Sequence, residues 1–340
     1  KPTAKIAIQP DPVFCPQAAI EVEQPKVVGR PPERWKAAVE QHIYTPSFYI
    51  NRLLTPLSGV DTITRKWIRN ANDERSAQEA KCRFSEKKGQ FVVNWVEHYC
   101  YLYEGDKAGQ LIDVDDWQYE YFMQVFGWLQ YAEDLGKWIR RFRQAGVWIP
   151  KKNAKSPTLA ATGVYLLIGD GEKGQKVYSV ARDGKQAMIA HTHAMEMVRS
   201  SPDLFPSECK INNTTGTISH LPTRSRYQVV FGENKLSTEG YNGSLLVDET
   251  HVVDQKLIDR LKRAGISRRE PLHIEMSTAG DSAEGYGEAR YAYGKSIQDG
   301  TTYNPQFYFM DFAIPQSTGI EQLYDESFIR REGVRCNPTI

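Results

Sequence analysis

Val147-Trp-Ile-Pro-Lys-Lys-Asn-Ala-Lys-Ser-Pro-Thr158 decides how this chain is read. An apolar, β-prone run from Gly146 to Ile149 enters a short basic turn. Lys155-Ser156 follows, and a helix-compatible segment runs from Pro157 to Leu167. A bland solvated loop is the competing reading of these residues alone, but strand, loop, Lys-Ser and helix is the order of a Walker A phosphate-binding loop. In such a loop the lysine, here Lys155, brings positive charge to the β- and γ-phosphates, and the hydroxyl, here Ser156, ligates magnesium. The free N–H groups of the helix N-terminus meet phosphate oxygens. Pro157 suits the first helical turn, where a missing donor costs little. Ile149 and Ala154 stand where glycine is usual. At Ala154 a Cβ is accommodated without strain only if the backbone avoids φ > 0.

A second element supports the first. Ser244-Leu-Leu-Val-Asp-Glu-Thr-His251 is an apolar strand that ends in adjacent carboxylates. A buried strand delivering Asp248 to its carboxyl end is the Walker B arrangement, in which the aspartate orders magnesium. Glu249 then orients and deprotonates the attacking water. The plainer alternative is a pair of acids capping the next helix. The third element is Leu272-His-Ile-Glu-Met-Ser-Thr-Ala-Gly280, a strand ending in small hydroxylated residues. At this position nucleic-acid motors sense the γ-phosphate; a plain strand-to-loop turn is the competing reading. The fourth is Trp117-Gln118, an aromatic and an amide suited to stacking on adenine and bonding it, or else a helix surface pair.

Around these motifs the chain changes texture. Residues 1–32 are Pro-rich and non-periodic, which predicts an extended arm. Residues 33–110 form a helical region, with Trp35, Val39 and Ile43, and then Phe91, Trp95, Tyr99 and Leu102, at roughly helical spacing. An aromatic-rich amphipathic segment runs from Trp117 to Ile139. After Gly146, strand candidates at 146–150, 176–181, 217–221, 227–231, 244–247, 272–276 and 306–312 alternate with helical stretches at 156–168, 184–199, 253–264 and 285–298. This alternation predicts an α/β domain over residues 111–315, with a mainly parallel sheet and its chemistry at the carboxyl ends of the strands. Residues 316–340 carry no strong pattern.

Composition narrows the function. With 43 basic and 42 acidic residues the formal charge is +1, so contact with nucleic acid must come from local patches. No apolar run approaches the roughly 18 residues needed to span a bilayer, and no signal-like start is present. Five scattered cysteines without C-x-x-C spacing read as reduced thiols. His191-Thr-His193 is the only close histidine pair and lacks a third ligand nearby.

Taken in order, the four elements resemble the large terminase subunit of tailed bacteriophages, the ATPase that pumps DNA into the prohead. The resemblance covers about residues 85–340. Its phosphate loop, Lys151-Lys152-Asn153-Ala154-Lys155-Ser156 preceded by Pro150, is similar to the branch that reads basic-Lys-Asn-Gly-Lys-Ser. Supporting segments are Arg140-Arg-Phe-Arg143, Val177-Tyr-Ser-Val-Ala181 with Gln186-Ala187, and Glu239-Gly-Tyr-Asn-Gly-Ser244. The resemblance implies a P-loop NTPase fold of the ASCE/RecA-like type, with helices on both faces of the sheet and a helical N-terminal region. It implies ATP and Mg2+ as cofactors, with Ser156 and Asp248 on the metal. Lys151 takes the place of the basic residue that opens the loop, and Glu249 is the catalytic base. Trp117-Gln118 belongs to the adenine-recognition motif, and Ser277-Thr278 to the coupling motif. Double-stranded DNA, a portal protein, a small terminase subunit and a homo-oligomeric ring (a pentamer) on the prohead in the host cytoplasm are the implied partners and setting. In the ring a neighbour's basic residue reaches the γ-phosphate; Arg224, Arg226 and Lys235 all lie in the right interval, with a surface salt-bridging role as the alternative for each.

Two departures qualify the resemblance. Ala154 replaces the family's loop glycine. Such terminases also carry an RNase H-like nuclease domain with an acid cluster on two metals, whereas here 316–340 reads as a linker and Asp311 as part of the last motor strand, so nuclease activity is not expected of these residues. Two other functions compete: a helicase-like DNA-dependent ATPase, suggested by Asp-Glu-Thr-His at 248–251, and a non-hydrolysing assembly protein with a vestigial loop. Glu249 argues against the latter.

Overall fold

The computed structural model describes residues 59–181, 184–231, 242–264, 268–278, 285–314 and 318–339. The expected arm at 1–32, the helical pattern up to residue 58, Lys235 and Ala279-Gly280 lie outside the described residues.

The centre is an eight-stranded sheet in the order β11-β4-β10-β9-β5-β8-β7-β6. Its strands are β4 (Gln144–Trp148), β5 (Lys176–Ala181), β6 (Cys209–Asn212), β7 (Thr217–His220), β8 (Ser225–Phe231), β9 (Ser244–Asp248), β10 (His273–Ser277) and β11 (Phe307–Asp311). From β11 to β8 every pairing is parallel, and β7 and β6 add an antiparallel edge. The mainly parallel α/β sheet expected from the alternation is therefore present, and β6 is the strand its pattern did not announce.

Parallel strands need cover on both faces, and these have it. In β9, Leu246 faces one core while Leu245 and Val247 face another, the two-residue period of a strand. The first face is covered by α4 (Asp116–Gly127), α5 (Lys155–Ile168) and α6 (Gly184–Ser200), with α3 (Glu86–Tyr99) packed on α4. Helix α5 is apolar nearly all round and buried along its length, as a helix between a sheet and other helices must be. It approaches closely because of Gly163, where a Cβ would meet Leu246 and Tyr227 at 2.6 Å. The second face is covered by α7 (Gln255–Ala264), through Leu257, Ile258 and Leu261, and by α8 (Tyr286–Gln298), through Ile297.

The segment read as continuous from Trp117 to Ile139 divides. Helix α4 ends at Gly127, and the chain reverses through an antiparallel hairpin of β2 (Trp128–Ala132) and β3 (Lys137–Arg140). The left-handed Gly136 (φ 63°) lets the chain turn between the two strands. The short β1 (Arg83–Phe84) pairs with β2.

Arg140-Arg-Phe-Arg143 leads from this hairpin into β4 and acts as a clamp. Arg141 is fully buried. It donates to Asp73 (2.8 Å) and Ser76 (2.9 Å) of α2 (Ala71–Gln78), and to the Pro305 carbonyl (2.6 Å) ahead of β11. Trp128 and Phe142 flank its guanidinium at 4.7 and 4.4 Å. The helical region, which begins with α1 (Thr62–Lys66) in the described residues, is thus tied to the sheet by an ion pair closed off from water. His191 is also a core residue. Its ring nitrogens face Ser179 (3.3 Å) and the Gly216 carbonyl (2.5 Å), and burial holds its pKa down at about 4. His193 faces Glu104 instead.

The C-terminal segment has more structure than its sequence pattern suggested. Helix α9 (Glu326–Cys336) is capped by Asp325, whose carboxylate accepts from the N–H groups of Ser327 and Phe328, and it buries Phe328 and Cys336.

Candidate active site

Three strand ends converge. Register sets Trp148 of β4 beside Ser277 of β10, and Met276 of β10 beside Asp248 of β9. The Lys155-Ser156 loop, the acidic pair and the Ser-Thr pair therefore leave the same, carboxyl edge of the sheet.

At that edge Lys155, the first residue of α5, is only 8 % exposed. Its Nζ lies 2.5 Å from Glu249 Oε1 and 3.4 Å from Asp248 Oδ1. Ser156 Oγ donates to Asp248 Oδ2 at 2.7 Å, and the Glu249 N–H donates to Asp248 Oδ1 at 3.0 Å. One cation thus faces two carboxylates, and the residues that the sequence placed in separate motifs form a single cluster. Thr278 Oγ1 donates to Glu249 Oε2 at 3.4 Å, so the Ser-Thr pair reaches the same carboxylate. Glu249 itself has φ 55° and ψ 54°, a left-handed conformation that a non-glycine residue holds only against strain.

The loop keeps glycine geometry without glycine. Ala154 has φ 51° and ψ 30°, and Lys152 has φ 69°. The condition for a strain-free Cβ at 154 is therefore not met: the left-handed backbone that turns N–H groups inward is kept, with about 1–2 kcal/mol of strain at the alanine. Ala154→Gly should consequently bind ATP at least as tightly as the parent, and stability should stay within about 1 kcal/mol, since released strain is offset by a freer unfolded chain. Equilibrium titration with a fluorescent nucleotide checks this; markedly weaker binding would show that the loop does not wrap phosphate. Asn153 is fully buried and braces the turn, donating to the carbonyls of Pro150 (3.2 Å) and Lys151 (3.3 Å). Lys151 and Lys152 project into solvent. Pro157 is the third residue of α5.

Trp117 and Gln118 are buried, so neither forms the surface pair considered as their plainer reading. Gln118 Oε1 accepts from the Asp115 N–H (2.7 Å) and its Nε2 donates to Thr158 (2.7 Å), which pins α4 to the start of α5. Trp117 Nε1 donates to Thr339 (3.0 Å). The C-terminal segment also meets the loop directly. Asn153 donates to Asn337 Oδ1 (3.2 Å) and accepts from the Thr339 N–H (3.1 Å). Between the loop and α9 lies a cavity of about 330 Å³ lined by Pro150, Phe312, Phe328 and Asn337. Nothing in the sequence of the last residues signals this contact.

Arg224 and Arg226 are exposed at the amino end of β8, where Arg226 pairs in register with Lys176. Asp248 lies at the opposite edge of the sheet, roughly 15 Å away at the rise of a strand. Asp311 accepts from Tyr291 (3.0 Å) and pairs with Lys295 (3.5 Å) on α8, a structural role on the last sheet strand. His251 faces Glu249 and Ser277 (3.3 and 3.0 Å), and its place in the Asp-Glu-Thr-His run is the one sequence signal that marks it.

A family model described as "Terminase large subunit, ATPase domain" matches residues 116–296, more than half of the chain. The chain belongs to the terminase large-subunit ATPase family. The terminase large subunit of Enterobacteria phage HK97 is 26% identical over 196 residues, which is 56% of this chain and 36% of that protein. This chain therefore spans about a third of the length of the curated relative it matches. The crystal structure of the HK97 large terminase superposes with a TM-score of 0.59 at 20% identity, over 74% of this chain and 48% of that one. The Thermus phage P74-26 large terminase ATPase domain aligns with a TM-score of 0.42 at 14% identity, over 50% and 75% of the respective chains. As a member of the terminase large-subunit ATPase family, the chain keeps the α/β fold with its loop, acidic pair and Ser-Thr pair in one cluster. Among the described residues no helix is long and apolar enough to cross a membrane.

Proposed function

We propose that this chain is the ATP-hydrolysing motor of a phage DNA-packaging machine, moving double-stranded DNA into a prohead. The observation that carries the reading is the meeting of Lys155 and Ser156 with Asp248 and Glu249 at one sheet edge. In a site of this form the γ-phosphate oxygens take the place of Glu249 as partners of Lys155. The released Glu249 carboxylate then orients and deprotonates the attacking water. Ser156 and Asp248 present hard oxygen donors 2.7 Å apart, a set suited to Mg2+, which when bound neutralises charge on the β- and γ-phosphates. The basic Lys151 and Lys152 flank the entry to the loop. Because Trp117 and Gln118 already hold α4, α5 and the C-terminal segment together, the apolar cavity beside Pro150 and Phe312 is a second place for the base, alongside the Trp-Gln motif.

Thr278 and Ser277 pass the state of the phosphate site into β10. In a ring, assigned here as a pentamer working with a portal and a small subunit in the host cytoplasm, a basic residue of the neighbour completes the site. Arg224 and Arg226 serve that role only if the neighbour presents the amino edge of its sheet; Lys235 is the remaining candidate. ATP turnover with and without linear duplex DNA tests the reading. Turnover should rise with DNA, and DNA affinity should fall steeply with salt as phosphate contacts release counterions. Absence of both nucleotide binding and turnover would remove the motor reading.

A further inference from the structure

We propose that His251 is a positioning residue that ties the Glu249 carboxylate to the end of β10, so that hydrolysis follows the placement of that strand. The proposal rests on Glu249 as the base. His251 sits in the short 3-10 turn, Thr250–Val252, that follows Glu249. Its Nδ1 lies 3.0 Å from Ser277 Oγ and 3.3 Å from Glu249 Oε2.

The direction of these bonds follows from counting protons. The Ser277 hydroxyl has one proton and donates it to the Thr278 carbonyl at 2.9 Å. The Glu249 carboxylate facing the same ring nitrogen can only accept, so the tautomer that serves both partners has the hydrogen on Nδ1, with Ser277 Oγ accepting from it. The same N–H is shared with the Glu249 carboxylate. Thr278 donates to that oxygen as well (3.4 Å), so Oε2 is held by two groups anchored at the end of β10. Oε1, facing Lys155, is the oxygen left to respond to nucleotide.

The turn is also pressed from outside. Gly287 of α8 lies so close that a Cβ there would meet His251 Cα at 2.7 Å. Helix α8 is in turn locked to β10, because the buried Glu275 accepts from Arg290 (2.7 Å) and from Tyr286, and pairs with Lys262 of α7. Burial alone pushes the Glu275 carboxyl up, but Arg290 and Lys262 outweigh it and hold the group below its ordinary value, as a charged anchor. A shift of the block formed by β10 and α8 therefore carries the His251 turn with it, and His251 carries the Glu249 carboxylate.

Three near-isosteric variants test this: His251→Asn, whose amide nitrogen falls where Nδ1 stands, His251→Gln, whose amide reaches the Nε2 position, and His251→Leu. The readouts are ATP affinity by equilibrium titration and the single-turnover hydrolysis rate. The Asn variant should keep the rate within about threefold, while Gln and Leu lose about 10–100-fold, the usual range for removing an orienting partner. ATP affinity should stay within about threefold in all three, because only a group acting after binding is changed. Ser277→Ala should reproduce the loss, and the double variant with His251→Leu should lose little more. Equal rates for Asn and Gln, or a parental rate for Leu, would overturn the proposal. Glu249→Gln on the same preparation separates the two readings: retained hydrolysis there removes the base assignment itself, whereas lost hydrolysis there with a parental rate in Leu removes only the role of His251.

Discussion

Glu249→Gln lowers single-turnover ATP hydrolysis by on the order of 10²–10⁴-fold, the range for loss of a general base, and binds ATP at least as tightly as the parent. The two halves of this expectation have one structural cause. Lys155 lies 2.5 Å from Glu249 and 3.4 Å from Asp248, so an incoming triphosphate competes with a carboxylate for its main cation. A neutral amide ends that competition and removes one negative charge facing the phosphates, which favours binding. It also cannot accept the proton of water. Lys155→Met is the complementary change: it should weaken binding sharply, because two carboxylates are left facing each other and the phosphates with no cation between them. Hydrolysis and equilibrium binding measured on the same samples decide the matter. A Glu249→Gln variant that hydrolyses at the parental rate would place the base elsewhere; one that cannot bind nucleotide would make Glu249 part of the binding surface.

Arg141→Met should destabilise the protein by about 3–5 kcal/mol, the cost of leaving a buried partner uncompensated. Arg141 has no exposed surface, and Asp73 is only 4 % exposed. Without the guanidinium the Asp73 carboxylate loses its charged partner and keeps the Arg69 N–H (3.1 Å), and the Ser76 and Pro305 bonds are lost too. In a domain of this size that corresponds to a fall in melting temperature of about 10 °C. Adding Asp73→Asn should recover part of the loss, because the stranded charge is gone. Thermal melts of the single and double variants check both statements, and an unchanged melting point for Arg141→Met would mean the helical region is not held to the sheet through this pair. ATP affinity of the folded fraction should change little, since the clamp lies away from Lys155.

Much of the sheet was legible because its strands are short, apolar and separated by helices of ordinary length. Buried parallel strands read as unbroken apolar runs, and Ser244-Leu-Leu-Val247 is of that kind. The hairpin of β2 and β3 was not legible. Trp128, Leu129, Tyr131, Trp138 and Ile139 have apolar spacing that continues the helical pattern of α4, and only Gly136, with its positive φ, marks the reversal. The edge strand β6 was missed for a related reason: Cys209–Asn212 is four residues long with one inward apolar side chain beyond the cysteine, too little period to detect. Helix α9 was hidden by charge, since most of its side chains face solvent and only Phe328 and Cys336 are buried.

Local chemistry is what the amino-acid order by itself determined: a lysine and a hydroxyl at a strand-to-helix junction, two acids at the end of an apolar strand, and two hydroxyls at the end of another. Those are properties of neighbouring residues, and they follow from strand and helix periodicity and from charge. Three things were decided only by the tertiary structure. Placing β10 between β4 and β9 brought the three strand ends to one edge, because register between distant strands depends on how both faces of the sheet are filled. The left-handed backbone at Ala154 survived without glycine, held by the buried Asn153 that bonds the loop carbonyls and the C-terminal segment. Trp117, Gln118 and His251 gained their partners across separations that no local pattern encodes: Thr339, Thr158 and Ser277 meet them only because the packed core carries those residues there.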